Sequence, residues 1–397
     1  MVQRFLADDG SKIHESHWGS CLTTLGDQIR ARVWGLWLRL DKVPVLPPWE
    51  APTKWEQLRE IAESQGFDLD QLLMTGLACR QRHTLELMLI GFPIPQIAGG
   101  HLVQMHWQPI MLSSIRPPKS GFGGQRNLKL HHEKIFEMRK RIRWGTCQNW
   151  EASEISNRGR LPLAVRSQSI GLIGAGALGG ALANLLVRAG NYALTLCEFD
   201  LVQIGNLVRS NYSLLEIGES KAQALRLQLL QALPHSAVKI INESFPPCSP
   251  ENIDCIKACD VILDCTAEDS VLQQLESFSW QAEKLFISIS LGFKAKRLFC
   301  YGVRSKQFPV KDFHARLEPW LERESQEYTL EDFPHDGVGC WHPVFPARLD
   351  DVTLMAAIAI KFIEQLIVDM STEPTFAVYT AQHEGETFAG IKSESIE

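Results

Sequence analysis

None of the ten cysteines forms a Cys-x-x-Cys pair. That absence argues against a four-cysteine zinc site, and the scatter of the cysteines argues for reduced thiols rather than a disulfide framework. No apolar run approaches the length of a membrane span, and the opening Met1-Val2-Gln3-Arg4-Phe5-Leu6-Ala7-Asp8-Asp9 lacks the apolar centre of a signal peptide. Together these predict a cytoplasmic protein with no membrane partner. A basic excess is missing too: 40 Lys and Arg stand against 46 Asp and Glu, a formal charge of -6. Nucleic acid is therefore not expected as a principal partner. What remains is an ordinary globular composition, 45% apolar over 397 residues, long enough for two domains with ample core.

The chemistry is concentrated between Ser169 and Lys221. The apolar run Ile170-Gly171-Leu172-Ile173 bends through Gly174-Ala175-Gly176-Ala177-Leu178-Gly179 and continues as a helix-like stretch to Ala189, closed by Gly190. This is strand, glycine loop, helix. A second run, Ala193 to Cys197, ends on Glu198-Phe199-Asp200, which places an acid about twenty residues past the last loop glycine. Glycines let backbone N–H groups approach a phosphate and the helix dipole favours its charge, while the acid suits a ribose hydroxyl. Such a fingerprint serves NAD-dependent dehydrogenases as well as ATP users. Asn206, Arg209 and Lys221, which follow directly, narrow it: cations beside the phosphates suit an enzyme that splits ATP between its α and β phosphates.

These residues, with Asp264-Cys265-Thr266 further on, resemble the ThiF/MoeB/HesA adenylyltransferases, to which the activating enzymes for ubiquitin and its relatives belong. The resemblance spans roughly Ser169 to Gly302. It implies that Gly174, Gly176, Gly179 and Glu198, with Asp200, hold the nucleotide, and that Asn206, Arg209 and Lys221 surround its triphosphate. The Cys-x-x-Cys zinc site of several relatives is absent here. Many family members place an Mg²⁺-holding aspartate directly after the threonine, where this chain has Ala267. Asp269 is the favoured substitute, with Glu268 the other acid in reach; Asp269 also reads as a helix cap. Family members often reach an upstream arginine into the site, sometimes across a dimer, which makes Arg158 and Arg160 candidates beside their plain reading as an interdomain turn.

The α/β alternation continues past Lys221 and predicts a doubly wound α/β fold. Strands are expected at Ala237–Ile241, Asp260–Asp264, Leu285–Leu291 and Lys296–Gly302, and helices at Glu251–Ala258 and Asp351–Val368. Between residues 303 and 350 the periodicity fails, and Pro, Phe, Trp and charge suit a long crossover segment over the nucleotide site. It contains Gly339-Cys340-Trp341-His342-Pro343. Cys197 and Cys265 lie in or at the ends of core strands, as small apolar residues do. Cys340 instead sits in a loop beside His342 and is the candidate thioester-forming nucleophile, an assignment the resemblance also implies.

Residues 1 to about 160 hold eight of the eleven tryptophans and no glycine loop. Leu22, Leu25, Ile29, Val33, Leu36 and Leu40 recur at helical spacing, and Thr53-Lys54-Trp55-Glu56 reads as a capping box. His83 to Pro95 reads as a strand stopped by proline, with His101 to Leu112 its partner, and Pro117 to Gly124 as a loop. His131-His132-Glu133 reads as a solvated face, since adjacent helical histidines diverge. Arg139-Lys140-Arg141-Ile142-Arg143 is a solvated face or a docking patch for an acidic partner. This zone, with Trp144, Asn149-Trp150 and Arg158 to Leu161, looks like the region preceding the adenylation domain in bacterial activating enzymes of anti-phage operons, of the Bil type or the type II CBASS fusion type without its leading conjugating domain. The resemblance implies an inactive, adenylation-like domain at 1–160 ahead of an active one at 161–397. It further implies ATP, Mg²⁺, a ubiquitin-like protein C-terminus as substrate, a conjugating enzyme as acceptor, and a homodimer. Activators of sulfur carriers or peptides, NAD-dependent oxidoreductases and a non-catalytic scaffold are the other readings.

Overall fold

The computed structural model describes residues 4–7, 10–15, 34–78, 85–95, 97, 99–115, 140–148, 155, 159–191, 193–328, 346–370, 372–385 and 387–395. Cys340, His342, Arg158, Arg139, the loop at 117–124, the His131 to Glu133 group and the stretch Leu22 to Val33 lie outside them. The chain falls into two units, Met1–Gly26 with Ala152–Glu397, and Asp27–Glu151. In the first, strands β1 (Arg4–Leu6) and β2 (Lys12–Glu15) pair antiparallel.

The second unit contains β3 (Trp34–Arg39), α1 (Trp55–Ser64), α2 (Leu69–Ala78), β4 (Leu85–Pro95) and β5 (Leu102–Ile115). β3 runs parallel to β4, and β4 antiparallel to β5, as the paired-strand expectation required. Leu38, Leu58, Leu73, Met88, Ile90 and Ile110 close its core. Two expectations are corrected. The helical spacing does not extend through Leu36 to Leu40, because pairing with Leu85 to Gly91 draws Trp34–Arg39 into the sheet and buries Leu38 and Leu40. The cap of α1 is closed by Gln57 rather than Glu56: Gln57 Oε1 accepts the backbone N–H groups of Thr53 (2.8 Å) and Lys54 (3.0 Å).

The 152–397 unit continues with α3 (Leu163–Arg166), β6 (Ile170–Ile173), α4 (Ala177–Arg188), β7 (Ala193–Cys197), α5 (Lys221–Ala232), β8 (Ala237–Ile241), α6 (Pro250–Lys257), β9 (Val261–Asp264), α7 (Asp269–Ser277), β10 (Lys284–Leu291), β11 (Arg297–Ser305), α8 (Val310–Glu327), α9 (Leu349–Asp369), β12 (Thr375–Glu384) and β13 (Thr387–Glu394). One eight-stranded sheet results, in the order β8-β7-β6-β9-β10-β11-β12-β13. The first five strands are parallel and the last three antiparallel. Every residue of β6 and β9 is buried, as parallel strands covered on both faces require. On one face Leu182 and Leu186 of α4 join Met355, Ala356 and Ala359 of α9. On the other, Ile256, Leu272, Phe313 and Trp320 of α6, α7 and α8 form a second core. The doubly wound expectation is met.

β6 lies between β7 and β9, so the chain reverses direction across the sheet at its carboxyl end. In such folds ligands bind in that crevice. Two glycines make the turn there. Gly174 has φ +88°, and a Cβ on it would sit 3.0 Å from Thr266 Cγ2 at the end of β9. A Cβ on Gly179 would fall 2.0 Å from Gly174 O, so the first turn of α4 can close onto β6 only without a side chain.

Helix α8 was not expected, since residues 303 to 350 show no obvious period. Its buried positions, Val310, Phe313, Leu317 and Trp320, are helically spaced, but Pro319 and many charges interrupt the pattern. Its far end is fastened by the buried Arg297 of β11, 1% exposed, whose Nη1 donates to Glu324 Oε1 at 3.0 Å and whose Nη2 donates to Glu327. Lys296 Nζ adds a 3.0 Å contact to Glu327. The Arg297 hydrogen bond above all holds the Glu327 carboxyl down at about 2.

Removing one partner of a buried pair strands the other charge. Arg297→Met is expected to cost about 3 kcal/mol in urea denaturation at neutral pH. Because the folded-state pKa of Glu327 lies below its ordinary value of 4.5, this contribution is present above that value and fades as pH falls toward about 2. The difference between variant and wild type should therefore shrink across that window. Gly179→Ala is expected to lower the thermal midpoint by several degrees, with the near-ultraviolet dichroism of the unit altered.

Candidate functional site

The helix that leaves the turn carries no side-chain cap. Gly176 is the N-cap of α4, and a Cβ built on it meets nothing within 4 Å. The first N–H groups of a helix have no intrahelical partner, and the dipole places partial positive charge there. This end of α4 therefore offers backbone donors to an anion.

Glu198, just past β7, binds the turn rather than lining it. Ala175 N–H donates to its Oε2 (2.8 Å) and Asp200 N–H to its Oε1 (2.9 Å), and the residue is 7% exposed. The ribose contact expected of Glu198 would therefore have to share oxygens that each already accept one backbone N–H of the turn. Asp200 is the more exposed acid, and it pairs with Lys221: Nζ to Oδ2 is 2.8 Å, and the backbone N–H of Lys221 donates to Asp200 O at 2.9 Å. Lys221 opens α5 behind the cap Ser220, whose Oγ accepts from Gln223 N–H. The turn from 201 to 211 joins this pair to Tyr212. On it Asn206 Oδ1 accepts from Gln203 N–H (2.9 Å), and its carbonyl accepts the backbone N–H of Arg209 (3.2 Å). Asn206 and Arg209, both half-buried, thus share one small turn whose two ends lie in the assembly around the loop.

Across the crevice Asp264 ends β9 fully buried. Its Oδ1 accepts from Thr266 Oγ1 (2.7 Å) and Thr266 N–H (3.1 Å), and its Oδ2 from Ser288 Oγ (2.9 Å). Burial pushes its pKa up and these hydrogen bonds pull it back. Asp264 shapes the turn that touches Gly174, with Ala267 in the left-handed region at φ +57°. Asp269 stands at the start of α7, its side chain 74% exposed and 3.7 Å from His314 Nε2 of α8. Glu268 is exposed beside it. Among the described residues there is no group of three or more His, Cys, Asp or Glu side chains able to hold a metal. One or two exposed carboxylates suit Mg²⁺ that is held mainly by phosphates and water.

Arg160 is not brought to the loop. It is exposed, its Cβ adjoins Gly190, and Leu161 N–H donates to Ala189 O, all beyond the C-terminal end of α4. Twelve helical residues, about 18 Å, separate that end from Gly176. Within one chain this distance exceeds an arginine's reach, so the expectation survives only for a second copy. Cys197 is buried and its thiol is raised to about 12, above all by burial, while burial raises Cys265 well above its usual range. Tyr212, Ser288 and His314 escaped the sequence. Of these only Tyr212 left a trace, as one of five tyrosines, set in the polar run Arg209-Ser210-Asn211.

Residues 1–150 match the Cap2 central linker domain and residues 151–308 match the ThiF family. The chain is 33% identical over 374 residues to the ATP-dependent ubiquitin transferase-like protein Cap2 of Enterobacter hormaechei subsp. hoffmannii (strain UCI 50), covering 92% of this chain and 61% of that protein. It is 31% identical over 126 residues to the molybdopterin-synthase adenylyltransferase of Escherichia coli (strain K12), covering 32% of this chain and 50% of the relative. The solved E. coli MccB with AMPCPP and MccA is similar with a TM-score of 0.40 and 14% identity, covering 58% of this chain and 64% of that one. The chain thus spans between half and two thirds of the length of these two curated relatives. Among the described residues no helix is long and apolar enough to cross a membrane. Residues 151–308 thus carry the match to the ThiF family, and residues 1–150, before them in sequence, the match to the Cap2 central linker domain.

Proposed function

We propose that the chain is an ATP-dependent adenylyltransferase that activates the C-terminal carboxylate of a ubiquitin-like protein, stores it as a thioester on Cys340 and yields it to a separate conjugating enzyme, as a cytoplasmic homodimer in anti-phage defence. The observation that carries this is the union of an uncapped helix N-terminus with Lys221, drawn to the glycine loop through Asp200 and Glu198. A hydride-transfer enzyme needs the acid for a ribose and has no task for that lysine. The names of the relatives, ubiquitin transferase-like and adenylyltransferase, support the same direction.

ATP sits with its phosphates at the start of α4. The N–H groups there and the cations of Lys221 and Arg209 face the charge that builds on the leaving pyrophosphate. Asn206 fixes the turn that presents Arg209. The partner's carboxylate attacks the α-phosphorus, the bond to the β,γ-pyrophosphate breaks, and an acyl adenylate forms. The Cys340 thiolate then attacks the acyl carbon and AMP leaves. Asp269, with Glu268 beside it, would hold Mg²⁺, which neutralises phosphate charge.

ATP–pyrophosphate exchange in the presence of the ubiquitin-like protein encoded beside this gene tests the reading. Exchange is expected in wild type and in Cys340→Ala, with a thiol-sensitive adduct on a non-reducing gel only in wild type. Lys221→Ala is expected to lower exchange about 100-fold, the scale for removing one donor to developing charge. Absence of exchange with any ubiquitin-like partner would remove the proposal.

A further inference from the structure

Tyr212 is buried, and its hydroxyl joins two parts of the site that are distant in sequence. Tyr212 Oη donates to Ala175 O at 2.7 Å and lies 3.3 Å from Lys221 O. The Ala175 N–H, on the other side of that residue, is held by Glu198 at 2.8 Å. Glu198 in turn holds Asp200 N–H, and Asp200 holds Lys221 through both Nζ and the backbone. The contacts close a ring: Ala175, Glu198, Asp200, Lys221, Tyr212 and back to Ala175.

The peptide plane explains what the ring does. In a planar trans peptide the C=O and the following N–H point in opposite directions. The Ala175 carbonyl is drawn inward to the phenol, so the N–H of Gly176 in the same plane is turned outward. Gly176 is the N-cap residue at the uncapped start of α4, and a Cβ on it would meet nothing within 4 Å. The preceding plane is locked inward by Glu198. Two consecutive peptides are thus set from beneath, and the donor they expose is aimed at the anion position.

We propose that Tyr212 is a positioning residue for the phosphates: its hydroxyl sets the Ala175–Gly176 peptide plane and ties that plane to the start of the helix bearing Lys221. The inference rests on the reading of this site as an ATP site. Burial, with help from Glu198 and Glu216, drives the phenol's pKa upward, so it remains a neutral donor at any working pH.

The test compares dissociation constants for ATP and for adenosine in wild type and Tyr212→Phe, by calorimetry or ligand-detected NMR, on protein whose thermal transition confirms folding. Tyr212→Leu serves if the Phe variant does not fold. Loss of one neutral hydrogen bond is expected to weaken ATP about fivefold, with a matching rise of KM in pyrophosphate exchange. Adenosine, which has no phosphate, should bind unchanged. Equal weakening of ATP and adenosine would mean a general structural role and overturn the inference. Unchanged ATP affinity in a folded variant, with wild type binding ATP, would overturn it alone. Failure of wild type to bind ATP would overturn it together with the ATP reading of the site.

Discussion

The backbone of Ala175 is gripped from both sides, its N–H by a carboxylate and its C=O by a phenol. The rest of the candidate site hangs on that grip. A glycine-rich turn is permissive by nature: Gly174 and Gly176 can adopt many conformations, and that freedom must be removed before the turn can present donors in one direction. A buried carboxylate and a buried phenol remove it with charge-assisted and neutral hydrogen bonds in a setting shielded from water, where such bonds are strong. The same two side chains extend the constraint to Asp200 and Lys221. Loop, acid and cation are thus joined by one continuous set of hydrogen bonds.

The sheet supplies the frame for that body. Placing β6 between β7 and β9 brings the carboxyl ends of two strands far apart in sequence to one crevice, and Gly174 lets the turn lie against Cys265 and Thr266 without a gap. Asp264 answers Glu198 from the opposite wall. Each is a buried acid at a strand end, and each uses its oxygens to order the turn that follows. Beyond the parallel strands, three antiparallel strands extend the sheet, and Arg297 locks the end of α8 to β11 with two carboxylates. That lock lies immediately before the stretch containing Cys340 in sequence. It gives α8 a defined terminus at Tyr328, whose ring meets Phe293 at 4.2 Å between centroids.

Much of the fold could be read in advance wherever its cause is local. The apolar runs of β6, β7 and β9, the glycine spacing between β6 and α4, and the long apolar period of α9 each encode their element within a few residues. Errors arose where a distant partner outvoted a local pattern. Leu36 and Leu40 fit a helical period, yet β4 recruits Trp34–Arg39 as a strand. Helix α8 hides its four core positions among charges and a proline, and becomes evident only against Phe299 and Tyr301 of β11. Arg160 is near the glycine loop in sequence but is carried to the opposite end of α4.

The amino-acid sequence by itself determined the doubly wound alternation, the position of the glycine loop, and the types of residue around it, because periodicity and glycine placement act at short range. Tertiary structure alone decided how those residues are used. Glu198 turned out to hold the loop because folding buries it beneath Ala175. Lys221 reached the site because α5 begins beside Asp200, and Tyr212 joined them across 37 residues to Ala175. Hydrogen bonds are directional and reach about 3 Å. Which donor finds which acceptor is therefore set by where the backbone arrives, and no spacing along the chain records it.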